Sequence, residues 1–458
     1  MPVVACVDVG STFTKGVAVD TRTGAVLATA SVPTTVPGDV LDGLHRVVED
    51  LAGRAGTPLA AEHVLACSSA GGGLRLAVVG YERAVTAEAG HRVGLSAGAR
   101  VVHVHAGPLA PADVRALRAA APDLVLLVGG TDGGNAEVLL HNAERLARAR
   151  IGVPVVLAGN ADATPRAQEL LRATGRRVVP AANVLPRIGV LEPAGARAAI
   201  RDAFLQHVIG GKGLSRGPTF ARLVRGPTPD VVLAGVEVLA DGAPDQGVPG
   251  LGDVLVVDVG GATTDVYSVL TPEGEDAALR KEVVAPLWRA RTVEGDLGMR
   301  WGAPGVVEAA VAERLVGAGE AARLHDAAQR RAEDVAMVPV TAEETAEDAR
   351  LAELAVTVAL RRHARAAGPG SAGRDLRRVR AVVGSGGVLR HGGVAVRRQV
   401  LRPATTDHAG GWRVPESPAV AVDGRYLLFA VGLLAGDHPQ AAARLAHRIV
   451  TGRDTLTP

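Results

Sequence analysis

Lysine is nearly missing from this chain of 458 residues: of 50 basic side chains only Lys15, Lys212 and Lys281 are lysine, and arginine supplies the other 47. Aromatic residues are equally scarce at 2%. A core must therefore be built from Val, Leu and Ala, and stacking platforms for single-stranded nucleic acid are nearly excluded. The two cysteines, Cys6 and Cys67, form no CxxC pair, which argues against a disulfide scaffold, an iron–sulfur cluster or a structural zinc site. No apolar run reaches the roughly 18 residues of a membrane span. Basic and acidic side chains, 50 against 48, leave a net charge of +2, so neither a nucleic-acid surface nor a polybasic membrane anchor is expected. Val3 to Val9 opens as a strand with no basic leader or cleavage site before it, and the expectation is a cytoplasmic globular protein. At roughly 150 residues per domain the length suggests two to four domains.

What the chain does have is a repeated plan. Val3-Val4-Ala5-Cys6-Val7 is a buried-strand run, Gly10-Ser11-Thr12-Phe13-Thr14 turns, and Gly16 to Val19 returns. Val254 to Val257, Gly260-Gly261-Ala262-Thr263-Thr264 and Val266 to Leu270 follow the same order. Aligning the turns sets Asp8 to Lys15 over Asp258 to Asp265, and this internal repeat is the most informative feature of the sequence.

Between the repeats, strand-like runs at 101–104, 123–128, 153–157 and 177–179 alternate with helical spacing at 111–121, 136–149 and 165–174. That alternation predicts βαβ units around a parallel sheet. The expected organisation is a first lobe over 1–100, an inserted parallel α/β unit over 101–212, a Gly/Pro-rich linker region over 213–252 and a second lobe over 253–458. In the last part, helices are expected at 304–318 and 342–367, the second opened by a Thr341–Glu344 capping box. Val379 to Val383 is a late strand running into Gly384-Ser385-Gly386-Gly387.

A Gly/Ser/Thr-rich turn between buried strands aims backbone N–H groups and hydroxyls at one point, a nest suited to phosphate oxygens. Gly10, Ser11, Thr12 and Thr14 in the first turn, and Gly260, Gly261, Thr263 and Thr264 in the second, are the candidate ligands. Asp8 and Asp258 stand just before these turns, where a carboxylate would repel a polyphosphate unless a divalent cation lay between them. Both are assigned to hydrated magnesium, one of them with the further task of orienting an attacking water. Lys15 adds a compact point charge. Gly384, Ser385, Gly386 and Gly387 would let a flat adenine and ribose lie against backbone.

These stretches resemble the phosphate 1, phosphate 2 and adenosine motifs of the actin, DnaK-type chaperone and sugar-kinase superfamily. The resemblance implies two RNase H-like lobes closing on MgATP, and Thr292 to Gly298 is similar to the Gly-Asp loop of the chaperones. More narrowly, nearly the whole chain resembles the glutamate (methylaspartate) mutase accessory family, called GlmL or MutL. The matching stretches are Asp8–Lys15, Ala66–Arg75, Val128–Asn135, Ala158–Asn160, Asn183–Pro186, Asp258–Asp265 and Glu294–Arg300. This second resemblance implies an ATPase that repairs an adenosylcobalamin-dependent mutase by releasing damaged cobalamin. The cofactors would be ATP and Mg2+, with Asp8, Lys15 and Asp258 catalytic and Asp8 and Asp258 holding the metal; a homodimer stays open. The alternative on the same fold is a small-molecule kinase, for which Asp265 or Asp132 would serve as general base. An iron–sulfur type activase is disfavoured by the cysteine count, and a filament-forming protein would polymerise with ATP.

Other motifs carry less. Gly94-Leu95-Ser96-Ala97-Gly98 matches a nucleophile elbow, but a helical stretch precedes it and a strand follows, the reverse of what an elbow needs. His103 and His105 share a strand face without a third ligand. Gly129 to Gly134 follows a strand and precedes a helix, so an anion or partner site and a structural βα turn stay open as readings. The small-residue loop Cys67 to Gly73 is placed to line the cleft, with no catalytic role for the thiol.

Overall fold

The computed structural model describes all residues except 1–2, 36–37, 71–72, 84, 150, 210–212, 272–287, 366–372, 410–412, 452–454 and 457–458. Lys212 and Lys281 therefore lie outside the described residues. The chain divides into two units, the first built on Met1–Ala234 with Gly432–Ala441, the second on Gly235–Thr271, Arg291–Val431 and Ala442–Pro458.

In chain order the strands of the first unit are β1 (Val3–Val9), β2 (Phe13–Asp20), β3 (Ala25–Pro33), β4 (Val64–Ser68), β5 (Leu74–Gly80), β6 (Ala99–Ala106), β7 (Leu124–Leu127), β8 (Val155–Leu157), β9 (Val178–Pro180) and β10 (Val224–Pro227). They form two sheets. The first has the order β10-β4-β1-β2-β3, with β1, β2 and β3 antiparallel and β4 and β10 joining in parallel. Every residue of β1 is buried, the continuous apolar reading of a strand covered on both faces. Helix Val40–Ala55 covers one face with Val40, Leu44, Val47 and Leu51. Asp39 caps its start by accepting from the Leu41 N–H, and Gly56 at φ 64° ends it. The helix sits so close that a Cβ on Gly16 would lie 2.3 Å from Val47 Cγ1.

The second sheet, β6-β5-β7-β8-β9, is parallel throughout. Its alternation sorts two cores. Leu74, Leu76, Val78, Leu124 and Leu126 share a cluster with β1, whereas Ala77, Val79, Val125 and Leu127 pack with Leu139, Leu146 and Leu171 of the outer helices. The sheet begins at β5, upstream of residue 101, with helix Thr86–Ser96 between β5 and β6. Leu74–Gly80 is a short apolar run between Gly71-Gly72-Gly73 and Gly80 without clear period-2 alternation, so periodicity alone does not assign it to the parallel sheet. The 213–252 stretch is also structured. Its Gly/Pro content accompanies helix Thr219–Leu223, strand β10 and helix Thr228–Asp241, because Pro227 sits on an edge strand, where a missing N–H costs no ladder bond.

The second unit continues with a short hairpin, β11 (Gly242–Ala243) and β12 (Val248–Pro249), then β13 (Val254–Val259), β14 (Thr264–Val269), β15 (Arg289–Glu294), β16 (Ala381–Gly386), β17 (Ala419–Val422) and β18 (Thr455–Leu456). Its main sheet runs β15-β14-β13-β16-β17-β18. β13 pairs antiparallel with β14 and parallel with β16, which pairs parallel with β17. Counting outward from β13 reproduces the order around β1. Each unit thus carries the RNase H-like sheet, a three-strand meander with two further parallel strands added beside its first, the second unit adding β18 antiparallel at its edge, and the fold is α/β with two such lobes and an additional parallel α/β sheet. Helix Ala342–Ala364 starts at the expected capping box, Thr341 Oγ1 accepting from the Glu344 N–H at 3.1 Å and Glu344 from the Thr341 N–H at 3.1 Å. No helix of the described residues is long and apolar enough to cross a membrane.

Candidate functional site

Register places the acidic strand tips in matching rows. In the first unit Asp8 stands opposite Lys15 on β2 and Cys67 on β4. In the second, Asp258 stands opposite Asp265 on β14 and Ser385 on β16. Paired residues on neighbouring strands point to the same face, so each row sets a central carboxylate between two polar neighbours. Asp8 is only 3% exposed and Asp258 half-buried.

The first turn is tight: the Gly10 N–H donates to the Phe13 carbonyl at 3.1 Å, and a Cβ on Gly10 would meet that oxygen at 2.7 Å. Ser11 and Thr12 are exposed at its tip and Lys15 is half-buried. Thr14 is fully buried, its hydroxyl 3.1 Å from that of Thr34, which in turn donates to the Gly10 carbonyl at 2.9 Å. Thr14 therefore braces the turn from beneath.

The second turn repeats this geometry, with the Gly260 N–H on the Thr263 carbonyl at 2.9 Å. The 294–300 segment packs on it: the Met299 and Arg300 N–H groups donate to the Gly260 and Gly261 carbonyls at 2.9 and 2.7 Å, and the Thr264 hydroxyl donates to Leu297 O at 2.6 Å. Thr264 is buried and Thr263 half-buried. A Cβ on Gly298 would lie 2.4 Å from the Ala262 carbonyl carbon, so only glycine allows this approach. Arg362 holds the loop from behind, reaching Glu294 at 2.8 Å and both oxygens of Asp296 at 2.7 and 2.9 Å.

Gly384, Ser385 and Gly386 end β16, and Gly387 opens helix Gly387–His391. Gly386 has φ 104°, and a Cβ there would lie 2.1 Å from the Val259 carbonyl oxygen. Ser385 is buried. Just beyond, the Arg390 guanidinium lies 5.4 Å from the Tyr426 ring centroid, and Asp423 accepts from the Leu427 and Leu428 N–H groups.

Several contributors lie outside the turns. The Thr228 hydroxyl donates to Asp8 Oδ1 at 2.6 Å, and the Cys67 thiol faces the same oxygen at 3.5 Å. Burial, reinforced by the Asp8 carboxylate, pushes the Cys67 thiol well up, so it stays protonated. Arg291 binds Asp265 at 2.9 Å and lies 5.8 Å from the Tyr267 ring centroid. Burial raises Asp265 while Arg291 pulls it down, with a net upward shift. Thr228 did carry a signal, since Thr228-Pro229-Asp230 has the polar, proline and acidic order of a helix start. Nothing local points from there to residue 8.

Asp132 does not stand open at the end of the parallel sheet. Its Oδ1 accepts from the Ala161 N–H at 2.9 Å and Asn183 Nδ2 at 2.8 Å, while Asn160 Nδ2 donates to Gly134 O at 3.1 Å. The Gly129–Gly134 loop is thus laced to Asn160 and Asn183. Helix Thr86–Ser96 precedes Ala97-Gly98 and β6 follows, so Ser96 is not on an elbow; its hydroxyl donates to Val93 O at 2.8 Å.

The donor set suits magnesium with a nucleotide better than a protein cage. No group of three or more His, Cys, Asp or Glu converges among the described residues, whereas magnesium takes one or two carboxylates and fills its shell with water and phosphate oxygens. Asp8 in the first unit and, separately, Asp258 in the second each offer one such carboxylate, and an ion held there would supply charge neutralisation for phosphate oxygens.

A family model described as MutL protein matches residues 4–450. "Protein MutL" of Clostridium tetanomorphum is 36% identical over 451 residues, covering 96% of this chain and 97% of its own. Among solved structures, nucleotide-free acetone carboxylase aligns at TM-score 0.39 and 14% identity over 95% of this chain and 70% of that one. The activator of 2-hydroxyisocaproyl-CoA dehydratase from Clostridium difficile aligns at 0.29 and 11%, covering 96% and 95%.

Proposed function

The chain belongs to the MutL protein family, and on that premise we propose that it is an MgATP-dependent ATPase that reactivates an adenosylcobalamin-dependent mutase of the glutamate mutase type. ATP binding and hydrolysis drive a conformational change that releases damaged cobalamin from the partner. The observation that carries this reading is the duplicated row, a buried or half-buried carboxylate at the tip of a central strand followed by a glycine turn, in two sheets of one order. Asp8 and Asp258 serve the magnesium nucleotide, Lys15 and Thr263 the terminal phosphate, the turn glycines with the exposed Ser11 and Thr12 hydroxyls the remaining phosphate oxygens, and Gly384–Gly387 the adenosine, whereas Thr14 and Thr264, expected as ligands, are buried and brace their turns instead. Phosphoryl transfer goes to water, and positioning with charge neutralisation accelerates it. ATP shifts the conformational equilibrium only by binding one state more tightly than the other.

A small-molecule kinase needs a carboxylate free to take a hydroxyl proton. Asp265 is engaged by Arg291 and Asp132 by Ala161 and Asn183, which favours water as acceptor. The test is steady-state phosphate release from MgATP by the purified chain, with and without hydroxylated metabolites. Turnover without any metabolite, lost by about 100-fold or more in Asp8→Asn and in Asp258→Asn, is the expected result. Strict dependence on a metabolite would replace this reading with the kinase.

A further inference from the structure

Two donors from distant segments converge on one oxygen of Asp8, and both are buried. The 2.6 Å contact from Thr228 has the length of a charge-assisted O–H···O bond, the stronger kind; the 3.5 Å thiol contact is weak. Thr228 is itself fixed from both sides. Pro227 before it pairs with Ser68 on β4. Two residues beyond, the fully buried Asp230 is gripped by Arg201 at 2.6 Å and Arg197 at 3.3 Å, and a Cβ on Gly98 would lie 2.7 Å from the Asp230 nitrogen. The hydroxyl therefore meets Asp8 from a place that neither β1 nor its turn determines. Satisfying a buried carboxylate would need only some donor; a donor held this firmly also selects one rotamer.

We propose that Thr228 is a positioning residue for Asp8, holding the carboxylate in the rotamer that meets a magnesium nucleotide, with Cys67 as a weaker second support. This rests on the reading of Asp8 as a magnesium-nucleotide residue. The role differs from a purely structural one in what it predicts. Losing a structural bond lowers stability alike with and without nucleotide, whereas losing a positioning bond lowers the affinity for the metal-bound nucleotide and so the stabilisation that nucleotide confers.

The test is titration calorimetry and thermal unfolding of the full chain with MgATP, and with ATP in EDTA, for Thr228→Val, Thr228→Ser, Cys67→Ala and Asp8→Asn. Thr228→Val is expected to weaken MgATP about tenfold, the loss of a hydrogen bond to a charged group, to leave metal-free ATP within about twofold, and to shrink the nucleotide-induced rise in Tm. Thr228→Ser, which keeps the hydroxyl, should stay within about twofold of the parent, and Cys67→Ala should cost about twofold. Unchanged MgATP affinity in Thr228→Val, with binding lost in Asp8→Asn, would overturn the inference and leave the functional reading standing. Parental affinity in Asp8→Asn would overturn both. Should circular dichroism show that Thr228→Val does not fold, Thr228→Ala gives the same readout on the same criteria.

Discussion

Gly386 shows how a single position can be committed by geometry alone. Its φ of 104° is closed to side chains, and a Cβ would sit 2.1 Å from the Val259 carbonyl oxygen at the tip of β13. Gly386→Ala is therefore expected to cost roughly 2–4 kcal/mol in denaturant unfolding, and to weaken adenosine nucleotides more than inorganic polyphosphate in competition binding. Residues of this kind were legible beforehand: glycine and aspartate between apolar runs mark strand tips and turns, and the Asp8-over-Asp258 alignment fell into matching register. Thr228, Arg291 and the thiol of Cys67 were not legible as site residues. Their roles depend on which strand lies beside which, and no short-range spacing records that. Thr14 and Thr264 illustrate the converse, since their place in the motif does not reveal that their hydroxyls face inward, to Thr34 and Leu297.

Among the elements, helix Ala342–Ala364 carries the charges and rings that other segments depend on. His363, fully buried on it, contacts the Thr292 hydroxyl through Nδ1 and the Ser268 hydroxyl through Nε2, each at 2.9 Å. Burial drives its pKa well below 6.5, so the folded protein holds the ring neutral while the unfolded chain protonates near pH 6.5. The unfolded state then binds more protons, and His363 makes stability fall as pH drops below about 6.5, by up to about 1.4 kcal/mol per pH unit. Unfolding curves at pH 7.5, 6.5 and 5.5 should show that slope, and His363→Gln should flatten it. On the same helix Asp348 and Glu347 meet the buried Arg331 of helix Ala318–Glu333. Arg331→Met leaves Asp348 without its closest partner, and a loss of about 3–5 kcal/mol is expected in chemical denaturation. The long helix was legible from its capping box and apolar stripe; β5 and β10 were not. The first is a buried run without alternation, and the second hides in a Gly/Pro-rich stretch that resembles a linker until its edge position is known.

For the molecule as a whole, the repeat was the most legible feature, because two copies of one strand–turn–strand plan imply two sheets of one order. The membership of each unit was less so. Gly432–Ala441 packs with the first unit although it follows nearly all of the second in the chain, a placement set by tertiary contacts and not by composition. Partner exchange belongs to this scale. If ATP drives the proposed reactivation, an immobilised sample of the chain should retain a purified adenosylcobalamin mutase carrying inactivated cofactor differently in MgATP and MgADP, and Asp258→Asn should abolish the difference. Equal retention under both nucleotides would speak against ATP-driven coupling.

The bond between Thr228 and Asp8 joins positions 220 residues apart. A ribosome adding about 5–20 residues per second needs about 10–45 s to travel that stretch, and the entire parallel sheet from Leu74 to Pro180 is made in the meantime. During synthesis Asp8 therefore leaves the ribosome long before the hydroxyl it meets in the folded chain. A slow codon run or a bound chaperone in that interval would act on the surroundings of Asp8 before the chain that completes them exists.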